Sequence, residues 1–393
     1  MKAVVELLSD LVRIPSPSAV SNRAVVDYAV RILDDLGWTA RELPYRDPCG
    51  VEKVNCIAAP PGQDASTPDA DLVFMCHTDT VPYALDWPRA LDPFVAGGHL
   101  HGCGSCDVKG FLACILAAVS QADPSRLPGG LRIVMTAEEE IGCVGAAHLI
   151  AQGALRPRRI IIGEPTSLHP ARAGKGYCLA EITVTGREAH SAHPQQGASA
   201  ILRAARLITA IEELAVSREQ YLDSFFDPPT TTVNIGTIQG GTAKNIVPGT
   251  CRFELEWRPI PGESPDTFLP EVVTPAVTKA TLEILAAGRK RMSQEGPGLK
   301  VEITPRRQQP GFATAADAPL VHTLESLTGR PAVSIPFGSE ASLFAPLAEE
   351  VVVLGPGDMR TAHSPRECVP IAELEEAVAC FAALLRGDSA GAA

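Results

Sequence analysis

Four short apolar runs, each leading to a histidine or an acidic residue, constrain this chain more than any other feature. Leu72-Val73-Phe74-Met75-Cys76 leads into His77-Thr78-Asp79, and Leu131-Arg132-Ile133-Val134-Met135 into Glu138-Glu139-Glu140. Ile160-Ile161-Ile162 leads into Gly163-Glu164-Pro165-Thr166, and Val351-Val352-Val353-Leu354 into Gly355-Pro356-Gly357 and, shortly after, His363. Such runs read as strands buried on both faces, as in a parallel sheet covered by helices. Helical spacing at 3–13, 21–36, 109–121 and 143–152, and later near 317–328 and 371–386, predicts an α/β fold with a mixed, mostly parallel sheet.

The rhythm changes near Tyr177. Residues 179–185, 230–238 and 250–258 alternate as half-exposed strands, with helical stretches at 198–214 and 266–287 and a last strand at 299–304. That strand-helix-strand-strand-helix-strand order predicts an inserted α+β, ferredoxin-like domain over 177–306. Residues 1–176 and 307–393 then form the catalytic domain, ending in a frayed tail from Gly387.

Composition narrows the function. A chain of 393 residues, 45% hydrophobic and 20% charged, is long enough for two globular domains and unlike a disordered one. The net charge of −12, with no Lys/Arg run, argues against nucleic acid. No run approaches the ~18 apolar residues of a membrane span. Near the start, Glu6, Asp10 and Arg13 interrupt the apolar spacing, unlike a signal peptide, so a cytoplasmic protein is expected. Eleven scattered cysteines read as reduced thiols. Cys103-Gly104-Ser105-Cys106 is a lone C-x-x-C that could be redox-active or bind metal, but no second pair accompanies it.

In open α/β sheets, ligands bind beyond the carboxyl ends of the strands, where these His and Glu residues fall. Asp107, in the loop Gly102 to Gly110, is a fifth candidate. Two imidazoles and three carboxylates can hold two zinc ions, with cobalt or manganese as substitutes. Each motif alone has a blander reading: His-x-Asp a surface pair, the glutamate run a solvated helix start, Gly-Glu-Pro a turn.

At these residues the chain resembles the di-zinc aminoacylase and carboxypeptidase family, in particular its acetylornithine deacetylase branch, and also succinyl-diaminopimelate desuccinylases. His77-Thr78-Asp79-Thr80-Val81-Pro82 resembles the first metal motif, and Leu100 to Phe111 the second, with Cys106-Asp107 in the deacetylase form. Ile161-Ile162-Gly163-Glu164-Pro165-Thr166-Ser167 and Leu354-Gly355-Pro356-Gly357 also resemble that branch. The resemblance implies that His77 and Glu164 bind one zinc, Glu140 and His363 the other, and Asp107 bridges them. It implies Asp79 as the group orienting His77 and Glu139 as general base. The family usually shows Asp-Glu-Glu where this chain has three glutamates; Gly145-Ala146 follows at the spacing that makes Glu139-Glu140 the functional pair.

In the inserted domain, Gly186-Arg187-Glu188-Ala189-His190-Ser191 resembles a lid motif whose histidine meets the substrate oxyanion, often across a dimer interface. His190 is preferred to His193 for that role. Gly240 to Asn245 resembles a substrate-binding segment ending in Asn245, and Arg258 matches an arginine that meets a substrate carboxylate; a surface arginine is the alternative. Glu340, in Gly338-Ser339-Glu340, is a candidate partner for a side-chain ammonium. The expectation is a homodimeric hydrolase of small N-acyl amino acids, N-acetyl-L-ornithine above all. The alternatives are a dipeptidase or carboxypeptidase or another N-acyl amino acid deacylase (of acetylcitrulline or succinyl-diaminopimelate) on the same scaffold, a family member that binds ligands without catalysis, and a redox protein using Cys103 and Cys106.

Overall fold

The computed structural model describes residues 2–83, 87–216, 222–290 and 300–387, so the tail expected to fray lies, from 388 on, outside the described residues. The chain forms two compact units. The first comprises 1–173, 313–334 and 339–393; the second comprises 174–312 and 335–338.

In the first unit, Leu131–Thr136, Asp69–His77, Arg156–Ile162 and Glu350–Val353 lie side by side and parallel. Their apolar runs are almost wholly buried, as strands covered on both faces must be. Because they run the same way, their carboxyl ends share one edge of the sheet. Antiparallel neighbours extend it: Glu52–Ala59 pairs with Leu131–Thr136, Thr39–Arg46 with Glu52–Ala59, and Ala171–Gly174 with Glu350–Val353.

The strands at Thr39–Arg46 and Glu52–Ala59 have no counterpart in the sequence reading. The first carries charges and Pro44 on a largely exposed sheet edge, so it shows no apolar signature. Helices were more legible: Val4–Arg13, Arg23–Asp35, Lys109–Gln121, Val144–Ala151, Pro319–Thr328 and Ile371–Arg386 fall where spacing places them. Helix Lys109–Gln121 is buried nearly throughout and packs on Ile371–Arg386. Phe381 is the hinge of that contact, meeting Phe74 and Phe111 edge-to-face at centroid distances of 5.4 and 5.2 Å.

The second unit is a four-stranded antiparallel sheet in the order Thr232–Gly240, Thr250–Arg258, Tyr177–Thr185, Lys300–Gln309. Tyr177–Thr185 alternates half-buried and buried residues along its length, which puts one sheet face in a core. Helices Ala200–Val216 and Thr274–Lys290, the latter preceded by a π-helical turn at Leu269–Val273, cover that face. Chain order and strand order together are those of a ferredoxin-like βαββαβ unit. Position 299, the expected start of its last strand, lies outside the described residues. Among the described residues, no helix is long and apolar enough to cross a membrane.

Phe381→Ala should remove the shared partner of two aromatic side chains and leave a cavity, lowering stability by about 3–5 kcal/mol. A fall in the chemical-denaturation midpoint of the first unit checks this; an unchanged midpoint would contradict the packing.

Candidate metal centre

His77 is the last residue of its strand. Its Nδ1–H donates to the Asp79 carbonyl at 2.9 Å, which turns Nε2 toward Asp107 Oδ1, 3.1 Å away. His363 Nε2 lies 3.0 Å from the other oxygen of Asp107 and 3.2 Å from Glu140 Oε2. One carboxylate therefore faces two imidazoles, brought together from positions 77, 107 and 363.

Asp79 does more than orient His77, and does so differently from expectation. Its backbone carbonyl holds the ring, while its carboxylate stands 3.6 Å from Nδ1. That carboxylate accepts the Ser18 hydroxyl at 2.6 Å and the N–H groups of Glu139 and Glu140 at 3.1 and 3.4 Å. The reason is local: the amides of the acidic turn lie closer to it than the ring does. Asp79 thus ties the end of one strand to the turn after the next.

The three glutamates part company at Glu138. Its backbone is left-handed (φ 59°), and its side chain turns away to accept the Tyr45 hydroxyl at 2.8 Å, with Lys53 Nζ at 3.8 Å. Tyr45 and Lys53 stand directly opposite each other on the paired strands that the sequence reading missed. Glu139 and Glu140 are left to face the centre. Glu139 Oε1 accepts the Cys143 thiol at 3.3 Å, a contact one helical turn along the chain. Gly145 follows because nothing larger fits: a Cβ there would lie 2.4 Å from the Ala137 carbonyl oxygen and 2.5 Å from Asn55 Oδ1.

Ligand-capable atoms of His77, Glu139 and Glu164 lie within 4.8 Å of one another, as do those of His77, Asp107 and Glu140. Glu139 thus shares the first group with the residues expected to bind metal. Four carboxyl groups (Asp107, Glu139, Glu140, Glu164) face two imidazoles, so that full ionisation would leave excess negative charge in a largely buried place, even with both rings protonated. Buried charge of one sign requires counter-charge. Burial, reinforced by Asp107 and Glu139, drives the Glu164 carboxyl far above its usual range. Burial likewise pushes Glu139 up to about 8, opposed by His77 and aided by Glu140. Hydrogen bonds to Asp107 and Glu140 raise His363 to about 10. Asp107 itself is held low by His363 and His77 against the penalty of burial. Glu140 Oε1 is buried with no hydrogen-bond partner. The N/O donor set, its excess of acidic groups and that orphaned oxygen fit divalent cations.

Other candidates fall elsewhere. Glu340 belongs to the first unit and is 1% exposed. Burial, moderated by Thr136 and His77, lifts it to about 7. In the second unit, His190 and Asn245 come together: Ala189–His190 pairs with Ile246–Val247, and Ser191 N–H donates to the Asn245 carbonyl at 2.9 Å. His190 is exposed and its Nδ1 accepts the Ala192 amide at 3.1 Å, while the His193 ring stands 6.2 Å away. Arg258 Nε donates to Glu256 at 2.8 Å, and its guanidinium lies 4.7 Å from the Tyr177 ring centroid. Cys103 packs with Trp87 and Ala90, whereas the Cys106 thiol faces the Asp358 carbonyl at 3.6 Å. Burial pushes Cys103 up to about 12 and Cys106 well above its usual value, which denies both the thiolate a redox pair needs.

Fold and donor set together describe a candidate divalent-metal centre at the carboxyl ends of a parallel sheet. The profile of peptidase family M20/M25/M40 matches residues 73–387. Over 381 residues the chain is 42% identical to an acetylornithine deacetylase of Myxococcus xanthus, covering 96% of this chain and 95% of that one. A tripeptidase from Staphylococcus aureus has a TM-score of 0.74 at 22% identity, covering 98% of this chain and 97% of that one. A dinuclear metal-binding peptidase of the M20 family from Bacillus subtilis has a TM-score of 0.65 at 16% identity, with coverages of 98% and 97%. The chain belongs to peptidase family M20/M25/M40.

A pH dependence follows for the metal-free protein. Glu139, raised above its unfolded value to about 8, is a carboxyl whose ionisation is penalised in the fold, so stability falls as pH rises toward 8. His363, raised to about 10, contributes stability that is full below about 6.5 and is lost as pH climbs through 10. Both slopes have the same sign. Chelator-treated protein should melt at a lower temperature at pH 8.5 than at pH 6, and divalent metal should flatten that dependence; a metal-free Tm that rises with pH would contradict the charge balance.

Proposed function

We propose that this chain hydrolyses the amide bond of N-acyl-L-amino acids, with N-acetyl-L-ornithine as substrate and L-ornithine and acetate as products. The observation that carries the chemistry is the Asp107 carboxylate facing His77 and His363 with Glu139, Glu140 and Glu164 around it. The substrate class rests on the 42% identity to an acetylornithine deacetylase over nearly the whole chain.

His77 and Glu164 would hold one zinc ion, Glu140 and His363 the other, with Asp107 between them; cobalt or manganese would suit the same donors. Bound there, the two ions supply the Lewis-acid charge that activates a water and polarises the substrate carbonyl. Glu139 takes the proton from the attacking water as its oxygen bonds to the acyl carbon. As the carbon–nitrogen bond breaks, Glu139 hands that proton to the departing nitrogen. Asp79 holds Glu139 at that position through its amide, and the Cys143 thiol steadies one carboxylate oxygen.

Recognition falls to other residues. His190 donates to the developing oxyanion, where a preorganised donor contributes most. Asn245, on the segment paired with His190, assists it. Arg258 receives the substrate carboxylate. Glu340 meets the side-chain ammonium, a reading supported by the burial of its carboxyl, which calls for a cationic partner. The protein acts as a homodimer through the second unit, whose outer strand Thr232–Gly240 is exposed along much of its length. Eleven free cysteines suit a reducing cytoplasm.

Glu139→Ala, with both metals retained, should lower kcat about 10²–10⁴-fold; a near-normal rate would end the mechanism. Assayed with added zinc or cobalt, the protein should prefer N-acetylornithine to N-acetylmethionine and to dipeptides. Glu340→Gln should erode the discrimination between the two acetylated amino acids, and unchanged discrimination would remove Glu340 from the site.

A further inference from the structure

Glu367 lies four residues beyond His363 and is 2% exposed, yet its side chain reaches back some 260 positions. One oxygen, Oε1, accepts the N–H of Cys106 at 3.1 Å and the N–H of Asp107 at 3.2 Å. Its backbone takes part as well, the Glu367 carbonyl accepting the Gly102 N–H at 3.3 Å. Immediately after it, Cys368–Pro370 pairs with His99–His101, the strand that feeds the Asp107 loop. The segment carrying His363 and the loop carrying Asp107 are therefore laced together at three successive levels, and the side-chain level falls on Asp107 itself.

The physical consequence is specific. Two N–H groups held by one buried acceptor fix the peptide planes on either side of Cys106 and into Asp107. With those planes fixed, the positions of the Asp107 nitrogen and Cα are fixed too, and only its φ and two side-chain torsions remain to aim the carboxylate. The carboxylate can then present Oδ1 to the His77 side and Oδ2 to the His363 side at once. Without the acceptor, two buried N–H groups would be orphaned, and the loop would shift to satisfy them.

We propose that Glu367 is a positioning residue that makes Asp107 a shared ligand, so that the centre holds two ions rather than one. This rests on the two-metal reading given above. Glu367 touches neither substrate nor metal; it acts through the amides of its neighbours. Partners of this kind typically account for 10–100-fold in metal affinity.

The test uses the full-length protein, equilibrated with buffered zinc and assayed for metal content, with the visible spectrum of the cobalt-loaded form as a second readout. Wild type should take up two ions. Glu367→Ala should keep one, with affinity for the other reduced about 10–100-fold, and its cobalt spectrum should change. Glu367→Asp keeps a carboxyl group but is one methylene shorter, and should lose the second ion similarly. Glu367→Gln keeps a carbonyl acceptor at full length, and should stay within about threefold of wild type. If Glu367→Ala does not fold, the contrast between Glu367→Asp and Glu367→Gln decides alone. Two ions bound with wild-type affinity by the Asp variant, even with a lower melting temperature of the metal-free protein, would reduce Glu367 to a scaffold residue and overturn the proposal. Fewer than two ions on wild type would instead bring down the two-metal reading, and this inference with it.

Discussion

A single carboxylate caught between two imidazoles is the interaction on which the first unit depends. Asp107 meets His77 at 3.1 Å and His363 at 3.0 Å, and each of the three is delivered by a different part of the fold. His77 is placed by a strand clamped between two parallel neighbours, Asp107 by a glycine-rich loop, and His363 by a loop that follows the strand Glu350–Val353. Such a centre tolerates little play. The buried apolar strands beneath it are what make the ends of those loops fixed points.

Building the centre has a local cost. Glu138, Cys143 and His363, none of them glycine, all adopt left-handed backbone conformations, at φ 59°, 56° and 56°. Strain of this kind costs of order 1–3 kcal/mol per residue and persists only where the surroundings over-determine it. Here the surroundings do so. Glu138 is held by Tyr45 and Lys53, Cys143 lies under Glu139, and His363 is bonded to Asp107 and Glu140. Strained residues and clustered carboxyl groups are concentrated at the carboxyl ends of an otherwise well-packed sheet.

The glutamate run shows how remote contacts settle a local ambiguity. Three identical side chains in succession carry no mark of which two face the metal centre. The spacing to Gly145 favours Glu139 and Glu140, and that glycine proves to be pressed against the Ala137 carbonyl. What turns Glu138 away, however, is a pair of cross-strand neighbours about 90 positions earlier, on strands without a periodic signature. The roles of Asp79 and Cys143 were equally hidden. Asp79 uses its backbone for one neighbour and its side chain for another, and Cys143 reaches Glu139 only because the turn between them closes as it does.

The sequence by itself determined the things that repeat or terminate. Continuous apolar runs dictated buried parallel strands, because only helix-covered strands bury both faces, and a strand's end is visible where its apolar run stops. Alternation from Tyr177 onward dictated the second sheet for the complementary reason, one face being open to water. Tertiary structure alone decided how the ends were used: which oxygen of Asp107 meets which ring, which glutamate turns away, and which distant carboxylate grips the Asp107 loop. Those outcomes depend on ångström-scale distances between residues up to 261 positions apart. Periodicity reports which face a residue occupies, but carries no record of what will face it.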